Sequence, residues 1–256
     1  PGCFVGVTAG KKTAAQKALL VGACDKVYFE EPSFSGYDVI LLAAYPDAVV
    51  GLIERHASEV GKDTVVIDLC GTKRKVCKAG FEAAQKYGFT FIGGHPMAGR
   101  EYSGFKYARD DLFDHASMIL CGHGDDDPAV LQRARDFFMK LGFLRVQFTT
   151  PKTHDEMIAY TSQLAHVVSS AYVKCPLADK HRGFSAGSFA DMTRVARLNE
   201  DMWTELFFDN REALLPVVED LVQRVTEYRD ALRDENREEM RKLLREGRET
   251  KERLTE

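Results

Sequence analysis

The chain has 256 residues, 45% of them hydrophobic, with 35 Lys and Arg against 39 Asp and Glu for a formal net charge of −4. That is enough apolar material for one large core or two moderate ones. The mild acidity leaves no electrostatic footprint for nucleic acid, and no apolar run approaches the ~18–20 residues that span a bilayer.

In chain order, short β-rich runs at Cys3–Val7, Asp38–Ala44, Thr64–Asp68, Phe89–Ile92, Met118–Cys121 and Leu144–Phe148 predict strands. Between them, Thr13–Val21, Ala48–Val60, Lys73–Tyr87 and Pro128–Leu141 carry helical periodicity. Strand–helix alternation at this spacing predicts right-handed crossovers and a Rossmann-like α/β fold, a mostly parallel sheet with helices on both faces. The run Val39–Ala44 lacks in/out alternation, as expected of a strand covered on both sides.

From about Pro151 the β pattern stops, which divides the chain into residues 1–150 and an all-helical part, 151–256. Thr153–Val173, Phe189–Arg197 and Met202–Leu254 read as helices. In the last of these, Leu214, Val218, Leu221, Val225, Tyr228 and Leu232 make one apolar stripe, with Pro216 expected to kink the helix or mark its early turns. Such a stripe on a helical second domain predicts burial against a second subunit, hence a homodimer. The end, Asp230–Glu256, is dense in mixed charge and reads as a solvated helix laced with i,i+4 ion pairs.

The six cysteines, at 3, 24, 70, 77, 121 and 175, are scattered, with no C-x-x-C pair and no zinc-like spacing. Free thiols in an ordinary core suit a reducing cytoplasm, and the start of the chain does not read as a signal peptide.

His95 is the first candidate for chemistry. It sits in Phe91-Ile-Gly-Gly-His-Pro-Met-Ala-Gly99, expected to lie between a strand end and an Xaa-Pro bend, among glycines that let other molecules approach the backbone. Its unperturbed pKa near neutrality suits it to take a proton. A loop histidine that is only solvated is the plain alternative.

Doubly wound sheets bind nucleotides outside the carboxyl ends of their strands, yet the G-x-G-x-x-G fingerprint is absent; Gly6-Val-Thr-Ala-Gly10 lacks the spacing. Either this is no dinucleotide domain, or the sequence starts at the second strand; the abrupt Pro1 favours the latter. On that reading, the end of the Cys3–Val7 strand meets the adenosine ribose. Where an NAD enzyme would place Asp or Glu, this chain has Thr8-Ala-Gly-Lys11-Lys12. Donors without a repulsive carboxylate favour NADP over NAD; the alternative is that Lys11 and Lys12 are only the polar entry to a helix.

Further segments follow in order over nearly the whole chain: Ala18–Cys24, Asp38–Pro46, Val66-Ile-Asp-Leu-Cys-Gly-Thr-Lys73, Gly94-His-Pro-Met-Ala-Gly-Arg-Glu-Tyr-Ser-Gly104, His154-Asp155, Ser162-Gln-Leu-Ala-His166, and Phe189-Ala-Asp-Met-Thr-Arg-Val-Ala196 with Asn199 and Met202-Trp203. With these, the chain resembles the prephenate and arogenate dehydrogenases of tyrosine biosynthesis. It departs from them at Gly71, where many members place serine, and at Ala165, where proline is usual.

The resemblance implies an NAD(P)-dependent oxidative decarboxylase of prephenate, with arogenate as the alternative substrate. Against it stand a non-catalytic dimeric binding protein lacking the nucleotide loop, and another Rossmann-plus-helical reductase. In the leading reading, His95 accepts the substrate hydroxyl proton and Arg194 clamps a carboxylate through its bidentate guanidinium. His166 contacts the substrate's side-chain end and Trp203 walls the pocket; each could instead be a core residue. Arg100 meets the second carboxylate and Glu101 bridges the cleft, unless both are solvated loop charges. Thr8, Lys11, Lys12, Ala44, Pro46, Gly71 and Lys73 are expected on the cofactor side, with Lys73 ordering its loop or serving as an ordinary helix-start lysine. No metal is expected.

Overall fold

The computed structural model describes residues 3–99 and 104–255. The N-terminal strands β1 (Gly6–Thr8) and β2 (Lys26–Tyr28), joined by α1 (Lys12–Leu20), pair in parallel as a two-stranded sheet of their own. A second sheet holds β3 (Val39–Leu42), β4 (Val65–Asp68), β5 (Thr90–Pro96), β6 (Ser117–Cys121) and β7 (Arg145–Thr149), in that spatial order. Its pairs are parallel except β5 against β6. The strands alternate with α2 (Pro46–His56), α3 (Arg74–Tyr87) and α4 (Pro128–Lys140).

All four residues of β4 are buried because helices cover both of its faces. Val66 packs with Val49, Ile53, Val76 and Phe91 on the α2/α3 side. Val65 and Ile67 point the other way, into Ala134 and Phe138 of α4 and Phe143. Two expectations need correction. The strands do not form one sheet, and β2, whose three residues Lys-Val-Tyr carry no apolar run, was not foreseen. The strand expected over Phe89–Ile92 runs on to Pro96, so His95 belongs to a strand rather than a loop.

The helical part begins directly after β7. Thr150 caps α5 (Pro151–Ile158) by accepting the Thr153 N–H at 3.1 Å, with Pro151 at the first helical position. A π-helical turn, Ala159–Gln163, leads into α6 (Leu164–Tyr172), so the helix expected over Thr153–Val173 is continuous but irregular. After α7 (Gly187–Thr193), the single helix expected over Met202–Leu254 is three: α8 (Glu200–Asp209), α9 (Arg211–Arg233) and α10 (Arg237–Arg253). Pro216 sits inside α9 without ending it. The α8/α9 break falls at Asn210, a buried side chain whose amide donates to the Asp155 carbonyl and to Gln163 Oε1, both at 2.8 Å. Across the two parts, Arg74 at the start of α3 reaches Glu212 (3.2 Å) and Glu156 (3.6 Å), and Lys75 reaches Asp209 (2.9 Å). Among the described residues no helix is long and apolar enough to cross a membrane.

Candidate active site

The end of β5, the start of α3 and the first turn of α5 converge on His95. His95 Nδ1 lies 2.8 Å from His154 Nε2, and His154 Nδ1 lies 2.7 Å from Asp155 Oδ1. Asp155 is held in turn by the free N-terminus of α3: Oδ1 accepts the Lys73 N–H at 2.8 Å and Oδ2 the Arg74 N–H at 2.9 Å. His154 and Asp155 are both buried, and Asp155 is 1% exposed.

A carboxylate only accepts, so His154 Nδ1 carries a hydrogen; with that ring neutral, its Nε2 is bare. The bare Nε2 accepts from His95 Nδ1–H, which leaves a lone pair on His95 Nε2. Burial, then the neighbouring His154 and the charge of Lys73, push the His95 pKa down to about 3. His95 is therefore neutral around pH 7, with its free nitrogen an acceptor.

Beneath it, Lys73 and Asp68 form a wholly buried ion pair. Lys73 Nζ also donates to the Gly94 carbonyl at 2.6 Å, and Asp68 accepts the Cys70 and Gly94 N–H groups at 2.9 and 3.2 Å. The apolar surroundings raise three thiols, led by burial: Cys121 to about 12, and Cys70 and Cys77 also upward. A recess of about 370 Å³, lined by Met97, Ile119, Met157 and Ile158 among others, flanks His154.

A second cluster forms around α6. His166 lies against Trp203 of α8 with ring centroids 3.9 Å apart, and its Nδ1–H donates to the Val195 carbonyl at 3.1 Å. Its half-buried position and the nearby charge of Arg194 lower its pKa, opposed by the bond to Val195. Arg194 follows α7, is exposed, and among the described residues makes no ion pair with a carboxylate. One turn beyond Trp203, Leu206 covers Gly71, where a Cβ would meet Leu206 Cδ2 at 3.5 Å. Thus α8 spans from the His166 cluster to the loop between β4 and α3.

Of the expected site residues, the structure groups His166, Trp203 and Arg194, and lays Gly71 under the same helix. His95 is joined instead to His154 and Lys73. Lys73 is corrected: with no exposed surface and its ammonium engaged by Asp68 and Gly94, it faces no cleft. Pro46 is also buried, at the start of α2, while Ala44 is exposed. Thr8, Lys11 and Lys12 stand exposed at the carboxyl end of β1, and among the described residues no carboxylate pairs with either lysine; Lys12 Nζ lies 5.9 Å from the Phe29 ring centroid. Arg100 and Glu101 lie outside the described residues. Sequence reasoning gave no role to His154, Asp155, Asp68 or Gln163. The adjacent His154-Asp155 pair at a helix start was the available signal for the first two.

A mostly parallel sheet with helices on both faces, carrying a helical second part and a histidine at the carboxyl end of a central strand, defines a two-part nucleotide-binding class of protein. Residues 4–146 match the family model described as "Prephenate dehydrogenase, nucleotide-binding domain", and residues 150–246 the model "Prephenate dehydrogenase, dimerization domain". The chain belongs to the prephenate dehydrogenase family.

It is 25% identical over 210 residues to a prephenate dehydrogenase of Bacillus subtilis, covering 79% of this chain and 55% of that protein. It is 28% identical over 203 residues to a cyclohexadienyl dehydrogenase of Zymomonas mobilis, covering 76% of this chain and 68% of that one. The chain thus spans about half the length of the B. subtilis relative. Among solved structures, Synechocystis arogenate dehydrogenase superposes with a TM-score of 0.81 at 22% identity, covering 99% of this chain and 92% of that one. Prephenate dehydrogenase from A. aeolicus, in complex with hydroxyphenyl propionate and NAD+, gives 0.81 at 23%, covering 97% and 88%. These two share the fold.

Proposed function

We propose that the chain carries out the NAD(P)-dependent oxidative decarboxylation of prephenate to 4-hydroxyphenylpyruvate. One observation carries the reading: the row Asp155–His154–His95 leaves a bare, unprotonated Nε2 at the end of a strand that points toward the helical part.

Prephenate bears a hydroxyl on one ring carbon, and a carboxylate with a pyruvyl group on the opposite one. A bound nicotinamide supplies the hydride acceptor. His95 Nε2 takes the hydroxyl proton as the carbonyl forms and the hydride leaves the same ring carbon. The electron pair of the ring–carboxylate bond then closes the aromatic ring as CO₂ departs and passes to the carbonyl oxygen, which as phenolate takes the proton back from His95 and leaves the phenol. A general base of this kind contributes about 10²–10⁴ in rate. With a pKa near 3 in the free protein, His95 starts neutral, so its free nitrogen can accept the proton.

Arg194, unpaired with any described carboxylate, suits a bidentate clamp on one substrate carboxylate, beside His166 and Trp203. Arg100 and Glu101 follow His95 closely in the sequence, and in this reading Arg100 meets the second carboxylate and Glu101 bridges the cleft.

For the dinucleotide, the donor set fits: Thr8, Lys11 and Lys12 offer a hydroxyl and two unpaired cations at a strand end, which favours a 2′-phosphate and hence NADP over NAD. Ala44, Pro46 and Gly71 lie at the turns after β3 and β4, on the same edge of the sheet. A homodimer forms through α9, where Leu215, Val222, Val225 and Leu232 are exposed along the helix. The division at residue 150 follows the passage from β7 to α5. Free thiols suit the cytoplasm.

The test is the rate of nicotinamide reduction with prephenate or arogenate, each with NADP+ and NAD+. Prephenate-dependent reduction, faster with NADP+, is expected. Faster turnover of arogenate would move the reading to that substrate, and no reduction with either would overturn it.

A further inference from the structure

The backbone ladder between β4 and β5 ends at the pair Asp68–Gly93. Gly94 and His95 therefore run beyond β4 with no main-chain partner on that side, although Gly94 is buried. Side chains take over. Asp68 Oδ1 accepts the Gly94 N–H, and Lys73 Nζ donates to the Gly94 carbonyl at 2.6 Å, so the residue before His95 is gripped at both backbone polar groups. The backbone N–H of the same lysine holds Asp155 Oδ1 at the far end of the histidine row.

We propose that Lys73 is a positioning residue for His95: its buried ammonium fixes the Gly94 carbonyl, and with Asp68 sets the direction of the imidazole, without touching substrate or cofactor. The proposal rests on His95 acting as the proton acceptor. A buried ion pair stabilises a fold little better than apolar residues of the same volume, so the pair's geometry points to placement. Among the described residues, Lys73 at the start of α3, Asp68 of β4, and His154 with Asp155 behind it on α5 are charged and titratable groups packed around His95. The lysine's charge also disfavours a proton on the ring.

The experiment compares Lys73→Met, and the double variant Asp68→Asn/Lys73→Met, with the unaltered chain. Each is read by kcat and KM for prephenate across pH, by Tm, and by NMR titration of isotope-labelled His95. Lys73→Met should lower kcat about 10–100-fold with KM held within about twofold. The His95 titration midpoint should rise by about one pH unit or more. A lysine that only supports the fold would lower Tm and leave the midpoint and the pH profile of kcat in place; that result overturns the proposal.

Should Lys73→Met fail to fold, the double variant, which strands no buried charge, decides: kcat within about twofold of the original refutes the positioning role. If the unaltered chain reduces no nicotinamide, the functional reading fails instead. The His95 midpoint then judges Lys73 alone, and an unmoved midpoint overturns it.

Discussion

Replacing Asp155 by Asn tests the histidine row at its anchor. The carboxylate makes three contacts: the Lys73 N–H at 2.8 Å, the Arg74 N–H at 2.9 Å and His154 Nδ1 at 2.7 Å. An amide can satisfy them in two ways, neither complete. With its oxygen in place of Oδ1, the NH₂ faces the Arg74 N–H, and one donor at the start of α3 is orphaned. With the amide flipped, the NH₂ faces both the Lys73 N–H and His154. His154 must then shift its hydrogen to Nε2 and donate to His95 Nδ1, which puts the hydrogen of His95 on Nε2 and removes the lone pair.

Either way, a buried N–H without a partner costs about 1–3 kcal/mol. In a chain of this size that lowers Tm by roughly 2–4 °C per kcal/mol. In the flipped orientation, losing the general base costs kcat about 10²–10⁴-fold, while KM, which the proposed clamp at Arg194 would govern, changes little. Nitrogen NMR of the labelled histidines separates the two orientations, and steady-state kinetics with prephenate supplies kcat. An Asp155→Asn protein that shows the flipped orientation by nitrogen NMR yet keeps kcat within about threefold of the original would refute the tautomer reasoning.

Other outcomes follow from the same geometry. Arg194→Gln should raise KM for prephenate by about tenfold or more with a smaller change in kcat, as loss of a charge-assisted bidentate contact implies; an unchanged KM removes the clamp. Gly94→Ala would place a Cβ 2.5 Å from the Asp68 carbonyl oxygen, so the backbone must move. A loss of roughly 1–3 kcal/mol in chemical denaturation is expected, with a fall in kcat as His95 shifts. His56 lies between Glu31 (2.9 Å) and Glu59 (3.0 Å) and stacks on Phe34, and the Glu31 bond foremost raises its pKa above 6.5. A raised folded-state pKa gives stability that is complete below the unfolded value and lost as pH climbs through the folded one. The Tm advantage over His56→Gln should accordingly be larger at pH 6 than at pH 9, and equal advantages at both would refute it.

Much of this architecture was legible in the residues, because burial on two faces writes itself as an unbroken apolar strand. Val65–Asp68 is such a strand, and its neighbours were found within a few residues. The short β2 was not, since three residues with one lysine carry no period. The breaks at Asn210 and at Asp234–Asn236 fall on either side of the Leu214–Leu232 stripe, where no glycine or proline marks them; the buried amide bonds of Asn210 explain the first. In the site, His95 stood out by its glycine-rich setting, and His166, Arg194 and Trp203 through the family resemblance. Asp155 was given no role and Lys73 was placed on the cofactor side, because their contacts lie 81–82 positions apart for Asp155 and across strands for Lys73. A charged residue at a helix start reads as solvated unless its partners are known.

The π-helical turn at Ala159–Gln163 changes how the long helix is to be numbered. Twelve positions separate His154 from His166, which on a regular α-helix would set them about 120° apart around the axis. One residue absorbed by the wider turn brings them to within about 20° of a common meridian, three rotations apart. The two imidazoles thereby look out along a single flank, although counting by regular turns would assign them to different ones. Removing any one residue of that five-residue stretch would restore uniform winding with eleven positions between the two histidines, and would leave His166 within about 20° of the same meridian, still directed at the indole.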